Sequence, residues 1–282
     1  MSLTKHDLQN LQPRLMELAV RAGDAILEIY DGARHDGDGG RSAQLDNKAD
    51  DSPLTLADLA AHDMICEGLQ WLTPHIPVVS EEDEPGHYRE SDGCFWLIDP
   101  LDGTKEFLAF NGEFTVNIAL ICAGTPQFGV VYAPALDEMY WGGRHFGAFR
   151  KRPSGIRALH VSLKHPQRDT VRVVASKSHL NAETREFIAR FSNTDLVQAG
   201  SSLKFCRVAE GNADIYPRLA PTCEWDTAAA QAVLEGAGGH VFDVYGSPLR
   251  YGKADVLNPS FIASAAPFAA LPMQGRAQAS LG

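Results

Sequence analysis

The chain has 282 residues, a net charge of -11 and a hydrophobic fraction of 44%, which is typical of a globular protein with one large or two moderate domains. No apolar run is long enough to span a bilayer, and the acidic balance argues against a nucleic-acid polymer as partner. A small phosphorylated substrate stays compatible with this charge, because divalent cations held by carboxylates attract anions.

Periodic apolar positions predict two N-terminal helices. From Leu8 to Tyr30, leucine and isoleucine recur at intervals of three and four residues, as in an amphipathic helix. The glycine- and aspartate-rich stretch 31–52 is predicted to be a long loop or a short mobile hairpin. A second helix is predicted from about Thr55, where T-L-A-D resembles a capping box, to about Leu72.

Short β-branched and aromatic runs follow and predict strands packed against helices. After a boundary at Lys151 to Ile156, strands and helices alternate, which predicts an α/β unit with parallel strands. The predicted organisation is an N-terminal helix-plus-antiparallel-sheet half (1–150), a C-terminal α/β half (151–270) and a flexible tail (271–282).

The cysteines and the N-terminus favour a reducing compartment. The five cysteines form no C-x-x-C pair and no zinc-ligand spacing, so we expect reduced and mostly buried thiols. The first residues, MSLTKHDLQN, lack the basic and apolar regions of a secretory signal. A cytoplasmic protein is therefore expected.

Two aspartates stand three residues apart at the end of an apolar run in WLIDPLDGTKEF (96–107). Asp99 and Asp102 fit a turn in which each carboxylate bonds its own backbone. However, Asp58, Glu81 and Asp226 also follow apolar segments. Because a two-metal phosphoryl-transfer site needs carboxylates from several segments, the pattern also predicts such a site.

The residues after Asp102 favour phosphate chemistry. Gly103 permits close approach of the backbone, and its amide and that of Thr104 would then face a phosphate. Haloacid-dehalogenase-type phosphatases carry D-x-D-G-T and form a phospho-enzyme, whereas this chain has D-x-x-D-G-T. The extra residue changes which face each carboxylate takes, so the spacing disfavours this class of phosphatase.

Seven segments resemble the inositol monophosphatase-like superfamily of metal-dependent, lithium-sensitive phosphatases, and within it the bacterial 3'(2'),5'-bisphosphate nucleotidases. D-P-L-D-G-T and W-D-x-A are specific to the superfamily, while T-K-E-F and G-S-S-L-K-F-C favour the nucleotidase branch. The resemblance implies a mixed α/β, five-layer αβαβα sandwich with the active site between its halves. The segments, which span nearly the whole chain, are SPLTLADLAAHD (52–63), VVSEEDEPG (78–86), WLIDPLDGTKEF (96–107), NGEFTVNIALI (111–121), GVVYAP (129–134), GSSLKFCRVAEG (200–211) and YPRLAPTCEWDTAAAQAV (216–233).

The resemblance also implies roles for individual residues. Thr104 paired with Asp58, together with Glu81, is implied to activate the attacking water. Substrate contacts are implied for Glu81, for residues 101–104, which include Gly103 and Thr104, and for Asp226. Two or three Mg²⁺ ions are implied, and their ligands are Glu81, Asp99, the carbonyl of Leu101, Asp102 and Asp226.

Substrate choice depends on Pro217-Arg218-Leu219, where inositol phosphatases carry a glutamate. Because a guanidinium bonds phosphate oxygens bidentately, we hypothesise that Arg218 binds a 5'-phosphate. Ser201, Ser202 and Lys204 are then expected on the nucleotide side, although an exposed position on a helix is the alternative for Lys204. Lys48 matches a family position near the site, and a solvated loop lysine is its alternative.

The expected reaction is Mg²⁺-dependent hydrolysis of the 3'-phosphate of adenosine 3',5'-bisphosphate to AMP and phosphate. The expected partner is thus a small bisphosphorylated nucleotide, with 3'-phosphoadenylyl sulfate as a related substrate, and the reaction would clear a by-product of sulfate assimilation. Three alternatives stay open: an inositol monophosphatase, a fructose-1,6-bisphosphatase, and a non-catalytic cation-binding or scaffold protein. The oligomeric state is not predicted, and the resemblance leaves open a peripheral association with the cytoplasmic face of the inner membrane.

Overall fold

The computed structural model describes residues 3–36, 52–83, 93–162, 170–175 and 181–271. The helices, strands and side-chain contacts of the fold and the site all belong to these residues. Lys48 and residues 272–282 of the predicted tail lie outside them.

Helices and sheets alternate in five layers. Helices α1 (Lys5–Asp36) and α2 (Pro53–Leu72) cover one face of the first sheet, and α5 (Leu203–Ala209) and α6 (Trp225–Gly236) lie between the two sheets. Helix α4 (Ala182–Ile188) packs on the outer face of the second sheet. Three apolar clusters fill the interfaces between layers. The predicted mixed α/β, αβαβα sandwich is confirmed.

The first sheet has seven strands in sequence order, with β1 parallel to β2 and every other pair antiparallel. The predicted boundary at 151–156 falls inside the β6–β7 hairpin, so this sheet continues to Leu159. Strand β7 was not predicted because four of its five residues are exposed and give no apolar pattern. The strands are β1 (Val78–Ser80), β2 (Cys94–Asp102), β3 (Thr115–Cys122), β4 (Thr125–Ala133), β5 (Glu138–Gly143), β6 (Gly147–Arg152) and β7 (Gly155–Leu159).

The second sheet has five strands in the order β11-β12-β10-β8-β9. Strands β8, β9 and β10 are parallel, which confirms the α/β prediction for that part of the sheet. The prediction is wrong at the other edge, where β12 runs antiparallel to both β10 and β11. The strands are β8 (Val171–Ala175), β9 (Thr194–Gln198), β10 (Ile215–Arg218), β11 (His240–Asp243) and β12 (Phe261–Ser264).

The ends of the first two helices differ from the predictions. Helix α1 continues to Asp36, so residues 31–36 are helical rather than loop. Helix α2 is capped by Ser52, whose Oγ accepts from the backbone N of Thr55 at 3.2 Å, and Pro53 occupies the first turn. Asp58 is therefore not a capping residue: it lies inside the helix and is buried, with 5% of its surface exposed.

One pair of cysteines is oxidised. Cys94 and Cys122 lie directly opposite each other on β2 and β3, with their Cα atoms 4.1 Å apart, and form a disulfide. The expectation of five reduced thiols is therefore wrong for this pair. Cys66, Cys206 and Cys223 are free.

Candidate active site

A β-bulge places Asp99 and Asp102 on one face of the first sheet. Asp99 lies opposite Asn117 and Asp102 opposite Thr115, so three steps along β2 match two steps along β3. In a regular strand, residues three apart point to opposite faces, and the extra residue of a bulge reverses that alternation. Both aspartates therefore share the face of Leu97, which packs towards α6 and the second sheet.

Three carboxylates from separate segments converge at this face. One carboxylate oxygen each of Glu81, Asp99 and Asp226 lies within 4.8 Å of the others. Glu81 directly follows β1, the parallel neighbour of β2, and Asp226 is the second residue of α6. The backbone N of Cys223 donates to Oδ2 of Asp226 at 2.8 Å, which fixes that side chain. Sheet and helix thus bring together ligands far apart in the chain.

The electrostatics of this cluster favour a cation. Asp99 is fully buried, and neither of its oxygens accepts a hydrogen bond from the described residues. Burial, followed by the charge of Glu81, raises the pKa of Asp99 well above its usual value. Desolvation and the charge of Asp226 raise the pKa of Glu81 to about 7, and desolvation and the charge of Asp102 raise the pKa of Asp226 to about 7. Since Mg²⁺ prefers oxygen ligands, this donor set fits the metal that the sequence predicts.

Asp102 has a different environment, because its Oδ2 atom is surrounded by donors. It accepts from Ser201 Oγ at 2.5 Å, from the backbone N of Ser202 at 2.7 Å and from Ser202 Oγ at 2.8 Å. Thr115 Oγ1 and Asn117 Nδ2 lie farther away, each at 3.4 Å. The charge of Asp102 still raises the pKa values of Glu81, Asp99 and Asp226, so it is part of the same acidic site.

A small cavity of about 70 Å³ opens beside Asp102 and Asp226. Lys204 is half-buried, and its Nζ lies 5.8 Å from the ring centroid of Tyr216. Arg218 donates through Nη2 to the carbonyl of Pro221 at 3.2 Å, while its buried Nε has no hydrogen-bond partner among the described residues. Lys204 and Arg218 thus place two positive charges next to the carboxylates. This arrangement suits a ligand that carries a second anionic group besides the one at the metal site. The lining residues are Asp102, Ser201, Lys204, Phe205, Tyr216, Arg218, Thr222, Asp226, Thr227 and Phe261.

The predicted site residues do not all meet in this cavity. Ser201 and Lys204 line it, whereas Ser202 is buried behind Asp102 and is not among its lining residues. The side chain of Leu101 packs in the core under α1 and α2, so only its carbonyl is a candidate ligand.

Gly103 and Thr104 lie at the turn from β2 into helix α3 (Thr104–Leu108). Gly103 has φ of +102°, and a Cβ there would lie 3.3 Å from Cβ of Ser201, which explains the need for glycine. Thr104 is exposed, and Asp58 is buried on α2, which contacts α3. The pairing of Thr104 with Asp58 stays a prediction.

Sequence reasoning did not assign Thr115, Asn117 or Tyr216 to the site. The segment NGEFTVNIALI carries two of them, but nothing in it indicates which residues face the aspartates, because that depends on the bulge in β2. Tyr216 and Arg218 are two residues apart on strand β10, so they lie on the same face of the sheet. This spacing is the signal in the sequence that could have placed Tyr216 beside Arg218.

The fold and this site define a class of protein. The chain matches the inositol monophosphatase family over residues 7–278, and it belongs to that family. Among curated relatives, the 3'(2'),5'-bisphosphate nucleotidase CysQ of Escherichia coli O157:H7 is 48% identical over 251 residues, 88% of this chain and 97% of the relative. CysQ of Haemophilus influenzae is 32% identical over 258 residues, 90% of this chain and 92% of the relative.

Solved structures agree with this assignment. CysQ from Bacteroides thetaiotaomicron, a bacterial member of the inositol monophosphatase family, superposes with a TM-score of 0.77 at 39% identity, covering 91% of this chain and 97% of that one. SuhB of Mycobacterium tuberculosis has a TM-score of 0.69 at 20% identity, covers 93% of each chain and supports the fold alone. In the described part of the chain, no helix has the length and apolar character needed to cross a membrane.

Proposed function

We propose that the protein is a Mg²⁺-dependent phosphatase that removes the 3'-phosphate of adenosine 3',5'-bisphosphate and releases AMP and inorganic phosphate. The observation that carries the proposal is the convergence of Glu81, Asp99 and Asp226 beside a cavity that also holds Lys204 and Arg218. The names of relatives at 47–48% identity, 3'(2'),5'-bisphosphate nucleotidase CysQ, support the same substrate class.

Two or three Mg²⁺ ions would be held by the three converging carboxylates, by Asp102 through its Oδ1 atom and by the carbonyl of Leu101. When bound, such ions lower the pKa of a coordinated water and stabilise charge on the leaving oxygen. Asp102 has only Oδ1 to offer because several donors surround its Oδ2.

The chain's own residues orient the reactants. Thr104, polarised by the buried Asp58, and Glu81, whose carboxylate lies at the open side of the cluster, would position the attacking water. Attack in line forms a bond from the water oxygen to phosphorus and breaks the bond from phosphorus to the 3'-oxygen, which takes up a proton. One water is consumed, and no covalent phospho-enzyme is formed.

Lys204 and Arg218 would bind the phosphate that is not cleaved. The buried Nε of Arg218 has no partner among the described residues, which leaves a donor for the 5'-phosphate. Gly103, Thr104, Ser201 and Asp226 would border the reacting phosphate, and 3'-phosphoadenylyl sulfate would be a related substrate. We also propose that the reaction removes a by-product of sulfate assimilation.

The substrate proposal is tested by steady-state kinetics of Arg218→Ala on two nucleotides, adenosine 3',5'-bisphosphate and 3'-AMP. If Arg218 binds the 5'-phosphate, the KM for the bisphosphate rises at least about tenfold, the loss expected for a charge-assisted hydrogen bond, while the KM for 3'-AMP changes little. Equal effects on both nucleotides would contradict the assignment. Lithium inhibition of the unsubstituted protein would support membership in the lithium-sensitive group.

A further inference from the structure

One oxygen of Asp102 is fixed by a pair of buried polar side chains from opposite halves of the molecule. Ser202, next to the start of α5, donates to Oδ2 of Asp102 from its backbone N at 2.7 Å and from its hydroxyl at 2.8 Å. Asn117, on β3, donates from Nδ2 to Ser202 Oγ at 3.0 Å and lies 3.4 Å from the same Asp102 oxygen. Asn117 and Ser202 are 1% and 2% exposed, so bulk water does not compete for these bonds.

The donor and acceptor roles of Asn117 and Ser202 determine how Asp102 is held. An amide nitrogen only donates, so Ser202 Oγ accepts from Asn117 and has its single proton left to donate. That proton has two acceptors in reach, Oδ2 of Asp102 at 2.8 Å and the carbonyl oxygen of Asp226 at 3.0 Å, and the shorter distance and the carboxylate charge favour Oδ2. The chain therefore surrounds one oxygen of Asp102 with donors.

We propose that Asn117 and Ser202 are positioning residues of the metal site: they hold Asp102 through one oxygen so that its other oxygen stays available to a divalent cation. This inference assumes the proposed metal site but does not depend on which phosphate ester is cleaved. It also gives Ser202 a role other than the nucleotide contact predicted from the sequence, in keeping with its place outside the cavity lining.

The test is a calorimetric titration of the full chain with Mg²⁺, and separately with Mn²⁺, in the absence of nucleotide. In Ser202→Ala and in Asn117→Ala we expect the metal to bind about 10- to 100-fold more weakly, the usual effect of removing a partner of a metal ligand. Ser202→Thr retains the hydroxyl and is expected to restore the affinity. Ser264→Ala removes a hydroxyl that is also buried, on β12, and is the matched control with unchanged affinity.

Enzyme kinetics distinguish the two roles of Ser202. At saturating Mg²⁺, the KM of Ser202→Ala for adenosine 3',5'-bisphosphate is expected to equal that of the unsubstituted protein. A raised KM with unchanged metal affinity would overturn the inference and restore the nucleotide contact. Circular dichroism and thermal unfolding establish that each variant is folded, and Asn117→Ala carries the test if Ser202→Ala does not fold.

The outcome for the unsubstituted protein separates this inference from the proposed function. Metal binding that weakens in both variants supports the inference even if no nucleotide is hydrolysed, and that result would overturn only the substrate proposal. Absence of Mg²⁺ and Mn²⁺ binding by the unsubstituted protein would overturn the inference and the metal site together.

Discussion

Two groups of carboxylates lie on the side of the first sheet that faces α5 and α6, and only one of them receives its counter-charges from the chain itself. The metal cluster consists of Glu81, Asp99 and Asp226, which converge within 4.8 Å. The arginine cluster consists of two glutamates, three arginines and a tyrosine on β5, β6 and α5, and its members are Glu138, Glu210, Arg150, Arg152, Arg207 and Tyr140.

In the arginine cluster, the chain itself supplies the cations. Oε1 of Glu210 lies 2.7 Å from Nη1 of Arg150 and 3.2 Å from Nη2 of Arg152. Burial alone would raise the pKa of Glu138, but hydrogen bonds from Tyr140 and Arg152 and the charge of Arg207 lower it. In the metal cluster the pKa values move the other way. Burial alone therefore does not set the pKa of a carboxylate here, because hydrogen bonds and positive charges supplied by the chain outweigh it at Glu138.

The largest effect is expected for Asp99→Asn, which breaks the metal cluster. Loss of this ligand should lower phosphate release by about 10³-fold, because the metal supplies several kcal/mol and each ~1.4 kcal/mol is tenfold in rate. The same change removes a buried carboxyl group whose oxygens accept no hydrogen bond in the described structure, so the metal-free protein should unfold at a higher temperature. Retained activity would contradict a catalytic role and favour a scaffold function.

The counterpart in the arginine cluster is Glu210→Gln, which is expected to affect stability and not chemistry. Removing one partner of a buried ion pair leaves arginine charges uncompensated and costs about 3 kcal/mol or more. Chemical denaturation would measure this loss. The folded variant should retain its Mg²⁺ affinity and its rate of phosphate release, and a stable but inactive variant would show that the two clusters are coupled.

The pH dependence of stability is expected to have opposite signs for the two clusters. Glu81 and Asp226 of the folded, metal-free protein have pKa values of about 7, above the usual 4.5 and 3.8. The folded state therefore binds more protons than the unfolded state between about pH 4 and 7, and the free energy of unfolding should fall as pH rises through that window. Glu138, with its lowered pKa, contributes stability above pH 4.5 that is lost as pH falls through its folded pKa.

Thermal unfolding of metal-free protein from pH 4.5 to 8 would measure this dependence. Asp226→Asn removes one of the two titrating groups, so its stability should depend less steeply on pH. An identical slope in the variant and the unsubstituted protein would show that the metal cluster is not the cause. Saturating Mg²⁺ should reverse the trend, because the ion binds only deprotonated carboxylates.

The smallest effect is expected for Tyr140→Phe. The tyrosine hydroxyl lies 2.6 Å from Oε2 of Glu138 and 2.7 Å from Oε1 of Glu210, and the ring remains in the variant. Loss of a hydrogen bond to a charged group should destabilise the protein by about 2 kcal/mol, with no change in Mg²⁺ affinity. A larger loss than in Glu210→Gln would show that the tyrosine, not the arginines, organises this cluster.

The sequence predicted the metal cluster better than the arginine cluster for a physical reason. Glu81, Asp99 and Asp226 each follow an apolar segment, a local signal that allowed them to be grouped in advance, and the parallel pairing of β1 with β2 brings the first two together. The arginine cluster depends on the register of β5 with β6 and on the packing of α5, which local patterns do not specify. The roles of Asn117 and Thr115 could not be predicted for the same reason. The bulge in β2 decides which residues of β2 lie opposite them, and no local pattern specifies that bulge.

The fold was likewise predictable where a local pattern specifies the element, and not where the element depends on pairing with a distant segment. The apolar periodicity of α1, α2 and most strands was readable, and the layer order followed from the family resemblance. The antiparallel strand β12, the exposed strand β7 and the disulfide between Cys94 and Cys122 are set by pairing across the sheets. None of these has a signal within its own few residues.

The most direct test of the account is phosphate release from adenosine 3',5'-bisphosphate and from inositol 1-phosphate, measured side by side with and without Mg²⁺. Because the site offers carboxylates for the metal and Arg218 with Lys204 for a second phosphate, we predict fast, Mg²⁺-dependent release from the nucleotide and slow release from the inositol ester. Equal or faster release from the inositol ester would contradict the substrate assignment. Release from neither substrate would contradict the catalytic account of the metal cluster.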